Sequence, residues 1–277
     1  MIRSIGNFHH KYFQRKLRYC TTYKVKMKSR AAKPGILLQI FARIWAFWGL
    51  ISFAGTFLII LIPSLLTKLI KDPKGMWWFI LIAKGWQWTW LNLVGCPVTV
   101  KGKEHFEKGK TYVITCNHNA MLDVPLSAPF IPGPNQTIAK KEFTKVPLFG
   151  FYYARGSVLV DRNSDASRRK SFEDMKAALK KGFHMCIFPE GTRNKSAEPL
   201  KQFYDGAFKL AVDTKTAIIP AILLHTKKAL PSNKIFWLVP HPVEIHFLAP
   251  IEVDGLTSKE LKEKVFQIMK DYYVAHE

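Results

Sequence analysis

The chain has 277 residues, a formal net charge of +22 and 48% hydrophobic residues, including 8 tryptophans. A chain that is both strongly basic and rich in apolar side chains suits an anionic phospholipid membrane. Nucleic acid is the other common partner of a basic chain, but the sequence lacks zinc-ligand spacing, an RNA-binding aromatic signature and a glycine-rich phosphate cradle. Composition therefore favours a membrane-associated protein and argues against one that binds nucleic acid.

Residues 1–35 are predicted to form a basic arm. Residues 1–71 contain no Asp or Glu, and the Lys and Arg residues of the arm lie between Arg3 and Lys33. Near anionic head groups each such side chain contributes about 1 kcal/mol of attraction. A tail without a partner and an organelle transit peptide are the alternatives, because both have a similar composition.

Residues 36–95 are predicted to form a membrane-associated segment of two helices. The 24 residues from 44 to 67 carry no charged side chain, and a helix of that length would extend about 36 Å, enough to cross a hydrocarbon core of about 30 Å. The second stretch, 76–95, contains five of the tryptophans and is interrupted by Lys84. Because tryptophan favours the membrane–water boundary, this stretch is expected to lie shallow.

The connector between these helices decides the expected topology. Residues 68–74 contain three Lys and one Asp, and positively charged loops resist translocation. A single crossing would also place the basic arm and the remainder of the chain on opposite sides of the membrane. We therefore expect a monotopic helical hairpin that enters and leaves the same leaflet, with two complete spans as the alternative.

Residues 96–277 are predicted to form an α/β domain with a central, mostly parallel or mixed sheet flanked by helices. Helices are expected from about 165 to 181 and from about 257, where Thr257 and Glu260 could form a capping box. Pro220 should mark a sheet edge or a bulge, since proline cannot donate to a strand ladder. Strands are expected near 97–101, 111–116, 136–140, 157–161, 184–188, 217–223, 235–239 and 242–248.

An imidazole and a carboxylate follow the strand predicted at 111–116. His118 and Asp123 are five residues apart, and Val124-Pro125 after the acid suits the first turn of a helix. An imidazole, with an ordinary pKa of about 6.5, can accept a proton near pH 7, and a carboxylate can fix its tautomer. We therefore predict a His118–Asp123 dyad past the carboxyl end of a strand; a capping Asp beside an incidental His is the alternative.

Two further loops place charge after predicted strands. Residues 188–193 follow one strand, and there Gly191 would permit close backbone approach to a ligand while Arg193 offers a planar fork for a phosphate. Arg162 follows another strand and would add a second guanidinium at the same sheet edge. These residues predict an anionic substrate, although a surface turn with a solvated Arg193 would look alike.

The chain resembles the glycerolipid acyltransferase family typified by 1-acylglycerol-3-phosphate acyltransferase. That family carries an N-H-x4-D block, then G-x4-D-R, then F-P-E-G-T-R, then a V-P-type strand, and the same blocks occur here in the same order over roughly residues 95–250. The sequence departs from the pattern at Ala120, where Ser is common, and at Ala221, where Val is frequent. These departures leave the identity of the acceptor open.

The resemblance implies an O-acyltransferase. A fatty acyl group would pass from an acyl carrier protein or coenzyme A thioester to the free hydroxyl of 1-acylglycerol 3-phosphate, forming phosphatidic acid in phospholipid biosynthesis. His118 would be the general base and Asp123 its orienting acid. No metal or other cofactor is expected, because a thioester is already activated. The implied acceptor-binding residues are Arg162, Glu190, Gly191, Thr192 and Arg193.

Several points stay open at this stage. The acceptor could instead be glycerol 3-phosphate, another lysophospholipid or a lyso-aminolipid, and the chain could be a non-catalytic membrane tether or a hydrolase. The apolar stretch 143–153 could line an acyl-chain channel or form a core helix. Because acyl thioester donors are cytosolic, the resemblance places the protein on the cytoplasmic face of the membrane.

Overall fold

The computed structural model describes residues 34–161 and 163–277. The predicted basic arm, up to residue 33, lies outside the described residues. The chain divides into two compact units, 1–39 and 40–277. The second unit contains the sheet and the hydrophobic core clusters that position the candidate site.

The two predicted helices of the N-terminal segment are present. Helix α1 covers Ile36–Leu66, a 3-10 turn covers Thr67–Leu69, and α2 covers Lys74–Leu93. The Trp86 indole N–H donates to Thr56 Oγ1 at 2.9 Å, and the Trp90 indole N–H donates to the Gly49 carbonyl at 3.0 Å.

These two indoles are buried between the helices. Trp86 and Trp90 therefore hold α1 and α2 together and are not exposed to a membrane–water boundary, while the shallow position predicted for the stretch as a whole stays a prediction. Trp77, Trp78 and Trp88 are exposed. The local sequence did not separate the two groups, because both lie on the same apolar helix.

Helix α2 packs along the α/β domain. Met76 and Phe79, near its start, belong to one core cluster, and Leu91, near its end, belongs to a second. Helix α1 is different, because its apolar side chains are largely exposed: an 18-residue stretch within Ile36–Leu69 has a mean hydropathy of 2.2 and is 28% buried. Among the described residues this span alone is long and apolar enough to cross a membrane.

A seven-stranded sheet forms the centre of the second unit, with the strand order β1-β7-β6-β2-β5-β3-β4. Neighbouring strands are parallel except for β6 and β7, which are antiparallel. The predicted fold class, a mixed and mostly parallel sheet flanked by helices, is confirmed. The strands are β1 Val98–Lys101, β2 Val113–Cys116, β3 Asn135–Lys140, β4 Ser157–Val160, β5 His184–Ile187, β6 Ile218–Leu224 and β7 Val243–Phe247.

The two long helices predicted in this domain are also present. The Ser164 hydroxyl caps α5, and Thr257 and Glu260 form the expected capping box before α8, whose buried face includes Leu261 and Val265. The remaining helices connect the strands. In chain order the helices are α3 Asp123–Ser127, α4 Phe149–Arg155, α5 Asp165–Lys180, α6 Gly206–Thr214, α7 Thr226–Ala229 and α8 Ser258–His276.

The strand predicted at 235–239 is wrong, because that segment is irregular. Phe236 has a φ of +50°, which no strand accommodates. The N–H of Leu238 donates to the Ala42 carbonyl at 3.2 Å, and the N–H of Val239 donates to the Ala229 carbonyl at 3.0 Å. Two backbone N–H groups that a strand would donate to a neighbouring strand thus donate to carbonyls of α1 and α7 instead.

Pro220 lies in the interior of the sheet, so an edge strand is excluded. Strand β6 pairs with β2 on one side and β7 on the other. The antiparallel register shifts by one residue between the Ile218–Ile251 bridge and the Ala221–Phe247 pair, with the extra residue on the segment that follows β7. The Pro220 carbonyl still accepts from Leu248 N–H at 2.8 Å.

Candidate active site

Two neighbouring parallel strands bring the two signature loops together. Strands β2 and β5 are paired in parallel, so their carboxyl ends lie at the same edge of the sheet. His118 follows the last residue of β2 by two positions, and Glu190 follows the last residue of β5 by three. This edge is where open α/β sheets place ligand sites.

The structure brings His118 and Asp123 into contact. Asp123 is completely buried at the start of α3, and its Oδ2 atom accepts from His118 Nδ1 at 2.9 Å. The same oxygen accepts from the backbone N–H groups of Asn119 and Ala120, the latter at 2.7 Å. These bonds fix the carboxylate against the turn that carries the histidine, so the imidazole is oriented by a rigid partner.

The other face of the imidazole remains available. The His118 side chain is 17% exposed, and among the described residues no group hydrogen-bonds its Nε2 atom. The Phe188 ring lies against the imidazole, with ring centroids 4.5 Å apart. A proton on Nδ1, directed at Asp123, would leave Nε2 as a proton acceptor facing solvent.

Glu190 joins the two loops. Its Oε1 accepts from His118 N–H at 2.8 Å, and its Oε2 accepts from Lys201 N–H at 3.0 Å. The Asn194 N–H in turn donates to the His118 carbonyl at 2.6 Å. The loop that follows β5 therefore clasps the backbone of His118 from both sides.

This geometry gives Glu190 a positioning role. The side chain is fully buried, and burial raises the pKa of its carboxyl, although the bonds from His118 and Lys201 N–H oppose that rise. Both carboxylate oxygens accept backbone hydrogen bonds within the protein. The contact between Glu190 and the acceptor that the sequence predicted stays a prediction.

Gly191 and Thr192 lie in the same loop. Gly191 has a φ of +68°, and a Cβ atom there would come within 2.7 Å of the Tyr204 ring. The Tyr204 side chain therefore packs closely against the Gly191 backbone, at the position where the sequence predicted a ligand. The Thr192 hydroxyl is exposed and accepts from Lys201 Nζ at 2.6 Å, which brings a cation to the loop.

Of the two arginines predicted to bind phosphate, the structure describes Arg193 but not Arg162. Arg193 is half-buried, next to Asn194, and within the described part of the chain no carboxylate forms an ion pair with it. Its predicted contact with a phosphate stays a prediction. Arg162 lies outside the described residues, and the prediction for it stays open.

Several residues that position the site carried no sequence signal. The Asn119 side chain is buried, and its amide nitrogen donates to the Tyr273 hydroxyl of α8 at 3.2 Å. The Asn119 carbonyl accepts from the Ser232 hydroxyl at 2.7 Å. Lys201 was missed as well, because its contacts with Glu190 and Thr192 cross a loop without regular spacing.

Cys116 ends β2 next to the dyad but is unsuited to nucleophilic attack. Its thiol lies 3.7 Å from that of Cys186 on the paired strand, and both residues are buried. The hydrogen bond with Cys186 and burial raise the pKa of Cys116 well above its usual value. A neutral, buried thiol packs as a small apolar group.

The sequence of this region matches known acyltransferases. The family model described as Acyltransferase matches residues 97–224. The 1-acyl-sn-glycerol-3-phosphate acyltransferase of Cocos nucifera is 31% identical over 186 residues, which are 66% of this chain and 59% of that protein. The chain thus spans about three fifths of the length of the coconut relative.

A yeast relative and a solved structure extend the likeness. The structure of the 1-acyl-sn-glycerophosphate acyltransferase from Thermotoga maritima has a TM-score of 0.72 at 20% identity, covering 86% of this chain and 97% of that one. It supports the fold. The 1-acyl-sn-glycerol-3-phosphate acyltransferase of Saccharomyces cerevisiae is 30% identical over 220 residues, 76% of this chain and 70% of that protein. With the matched family model, this relative shows that the chain belongs to the glycerolipid acyltransferase family, of the 1-acylglycerol-3-phosphate acyltransferase type.

Proposed function

We propose that the protein transfers a fatty acyl group from an acyl thioester to the free hydroxyl of 1-acylglycerol 3-phosphate, forming phosphatidic acid. The observation that carries the proposal is the contact of 2.9 Å between His118 Nδ1 and the fully buried Asp123 carboxylate. Membership of the family and the names of the coconut and yeast relatives support the choice of substrate.

The dyad supports direct attack by the acceptor. His118 Nε2 takes the proton of the acceptor hydroxyl while the hydroxyl oxygen bonds to the thioester carbonyl carbon. The carbon–sulfur bond then breaks, and the proton passes from the imidazole to the departing thiolate. Asp123 holds the Nδ1 proton in place and stabilises the imidazolium that forms between the two steps.

The acceptor phosphate would bind Arg193. A guanidinium matches phosphate oxygens with parallel hydrogen bonds, and Arg193 follows Thr192 in the loop that clasps His118. Lys201 Nζ, 2.6 Å from the Thr192 hydroxyl, adds positive charge to the same loop. The acyl donor would be a thioester of acyl carrier protein or of coenzyme A, and both carriers are anionic. No metal or redox cofactor is proposed, since the thioester is already activated.

The hairpin would hold this site at the cytoplasmic face of the membrane. The packing of Met76 and Leu91, near opposite ends of α2, against the α/β core supports a helix that lies along the domain. Helix α1 is tied to α2 through Trp86 and Trp90. A hairpin attached in this way favours monotopic insertion into one leaflet over two complete spans.

A panel assay tests the proposed reaction. One labelled acyl thioester, on coenzyme A or on acyl carrier protein, is offered with 1-acylglycerol 3-phosphate, glycerol 3-phosphate, other lysophospholipids and no acceptor. We expect labelled phosphatidic acid as the main product. Ester formed on a different acceptor would redirect the substrate assignment, whereas free fatty acid would indicate hydrolysis.

Absence of any product would remove the enzymatic proposal and leave a membrane tether. The matched variants are His118→Ala and His225→Ala, because His225 lies outside the signature loops and contacts Glu277. Product that is lost only in His118→Ala supports the dyad. Equal turnover in both variants would remove His118 from the mechanism.

A further inference from the structure

An exposed apolar patch lies on the α/β domain, outside the hairpin. It consists of Phe143, Val146, Leu148 and Phe151, whose relative exposures are 44–65%. These residues come from the stretch that the sequence assigned to an acyl channel or a core helix, but their side chains face outward. Soluble surfaces seldom carry so many large apolar groups in nine residues, and such a patch marks an interaction surface.

The backbone holds this patch in a fixed, costly conformation. Leu148 has a φ of +61°, a region that a branched aliphatic residue rarely occupies. The turn is closed by hydrogen bonds from Phe149 N–H to the Pro147 carbonyl at 2.6 Å and from Gly150 N–H to the Val146 carbonyl at 2.8 Å. An apolar side chain presented to the outside on a strained backbone points to a function outside the core.

The patch is attached directly to the hairpin. Phe149 and Tyr152, on one face of α4, pack against Phe57 of α1 and Trp86 of α2, with ring centroids 5.5 Å apart for Phe57–Phe149 and for Trp86–Tyr152. Phe151 is about 200° around the helix from Phe149 and therefore faces away from these rings. Helix α4 thus contacts the hairpin with one face and presents Phe151 on the opposite, exposed face.

An ion pair closes the same attachment at the connector. Arg155, at the end of α4, donates to both oxygens of Asp72, at 3.1 Å and 2.6 Å, and this bond lowers the pKa of Asp72 against the effect of burial. Asp72 also accepts from Met76 N–H at 3.1 Å, at the start of α2. Helix α4 and the hairpin therefore keep a fixed relation.

Charge beside the patch fits an anionic lipid surface. Lys140, Lys141 and Lys145 are exposed, with Glu142 as the one acid among them. Lysines that flank exposed aromatic and aliphatic groups are typical of segments that insert into the head-group region of a bilayer. A protein partner with no anionic surface would gain nothing from these lysines.

We infer that residues 143–151 are a second membrane-inserting element, through which the α/β domain enters the same leaflet as the hairpin. The inference rests on the membrane association proposed above. Because the domain is already fixed to the hairpin, a second membrane contact restrains the orientation of the whole domain relative to the bilayer. The carboxyl edge of the sheet then keeps one orientation toward the lipid that supplies the acceptor.

Lipid-borne quenching tests the inference on the full chain. A probe is attached at Phe151→Cys in a Cys20→Ser background, in which Cys96, Cys116 and Cys186 are buried. The vesicles contain anionic phospholipid and lipids brominated on their acyl chains. The positive control is Ile59→Cys on the exposed face of α1, and the negative control is Glu173→Cys on α5, whose side chain is 69% exposed.

We expect quenching at position 151 to be comparable to that at 59 and several-fold stronger than at 173. Quenching at 59 without quenching at 151 would overturn the inference and leave the hairpin as membrane anchor. No quenching at either position would contradict the membrane association itself. Quenching at 151 by a brominated acyl donor, and not by vesicle lipid, would overturn the inference in favour of a substrate surface.

A kinetic measurement tests the same surface without a label. In Phe143→Ser/Phe151→Ser, the apparent KM for acceptor presented in vesicles should rise several-fold, while kcat stays unchanged. Glu173→Ser is the matched control. An unchanged KM would count against the inference, and so would an equal rise for a soluble short-chain acceptor.

Discussion

Among the described histidines that contact a carboxylate, His118 and His246 can be compared directly, and of these two only His118 is proposed as the catalytic base. His118 Nδ1 lies 2.9 Å from Asp123, while His246 Nε2 lies 2.6 Å from Glu244. The other nitrogen of His246 is bonded to the Tyr272 hydroxyl at 3.0 Å, and its ring is buried. The other nitrogen of His118 faces solvent. A histidine–carboxylate contact therefore indicates a base only where one ring nitrogen stays accessible.

The two carboxylates also differ, but here the buried one belongs to the candidate site. Asp123 is buried and fixed by backbone donors, whereas Glu244 is partly exposed and also binds Lys101. Burial lowers the pKa of His246 despite its bond to Glu244. In the candidate site the acid is rigid and the base is accessible, and in the other pair the histidine is enclosed.

The largest expected effect separates the two histidines directly. His118→Ala should lower kcat by about 10²–10⁴-fold, the usual contribution of a general base, while the protein stays folded because Asp123 keeps its two backbone hydrogen bonds. His246→Ala should keep its turnover and lose about 1–2 kcal/mol of stability with its two hydrogen bonds. Turnover and unfolding are measured on both; lost turnover in a well-folded His246→Ala would reverse the assignment.

The two acids give the next comparison. Asp123→Asn should lower kcat by about 10²–10³-fold, since the amide cannot stabilise an imidazolium. Glu244→Gln removes a charge of the same kind and should change kcat by less than about twofold, because the pair is partly exposed. Steady-state kinetics decide between them. Similar losses in both variants would mean that the effect is general and unrelated to the dyad.

A third histidine sharpens the contrast through its pH dependence. His184 is buried, and burial lowers its pKa to about 4. The pKa of His184 is lower in the folded protein than in the unfolded chain. The folded protein therefore has its full stability above pH 6.5, where His184 is neutral in both states, and loses stability as the pH falls from 6.5 toward 4 and the unfolded chain takes up a proton. The free energy of unfolding should drop by about 3 kcal/mol over this range from this residue alone.

Denaturant unfolding of the full chain in detergent, at about pH 7.5 and about pH 4.5, measures that loss. His184→Gln is the matched variant, because an amide oxygen can still accept from Tyr112 N–H, which donates to His184 Nδ1 at 3.1 Å. Its stability should depend less on pH than that of the unsubstituted chain. Equal dependence in both proteins would assign the effect to other groups.

The smallest effect compares two adjacent tyrosines of α8. Tyr272→Phe removes the hydroxyl that contacts His246 and should cost about 1 kcal/mol of stability without changing kcat. Tyr273→Phe removes the acceptor of the Asn119 amide, which lies in the loop of the dyad. It should lower kcat about threefold, by loosening that loop. A change in kcat for Tyr272→Phe alone would contradict the division between the two histidines.

The parts of the site that follow from the sequence are those encoded locally. The strand before His118, the helix start at Asp123 and the spacing between them lie within about a dozen residues, so pattern and turn chemistry suffice. The seven strands were predicted near their observed positions for the same reason. The contact itself was expected and is present.

The parts that do not follow depend on contacts between distant residues. Tyr273 reaches Asn119 across 154 positions, and no local pattern marks either. The hydrogen bonds from the backbone of His118 and Lys201 to Glu190 were not predicted either, while the acceptor contact predicted for Glu190 stays a prediction. The segment 235–239 has the composition of a strand, yet α1 takes the N–H of Leu238. Tertiary hydrogen bonds decided each case.

Helix α2 packs both against the α/β core and against α1, and this limits which fragments of the protein can be expected to fold. One helix supplies Met76 to a cluster on one side of the sheet and Leu91 to another, while its indoles bind α1. Deleting residues 36–95 to obtain a soluble fragment would uncover apolar surface on both clusters. A shortened protein for crystallisation or screening should therefore keep α2 and replace exposed side chains of α1 with polar ones.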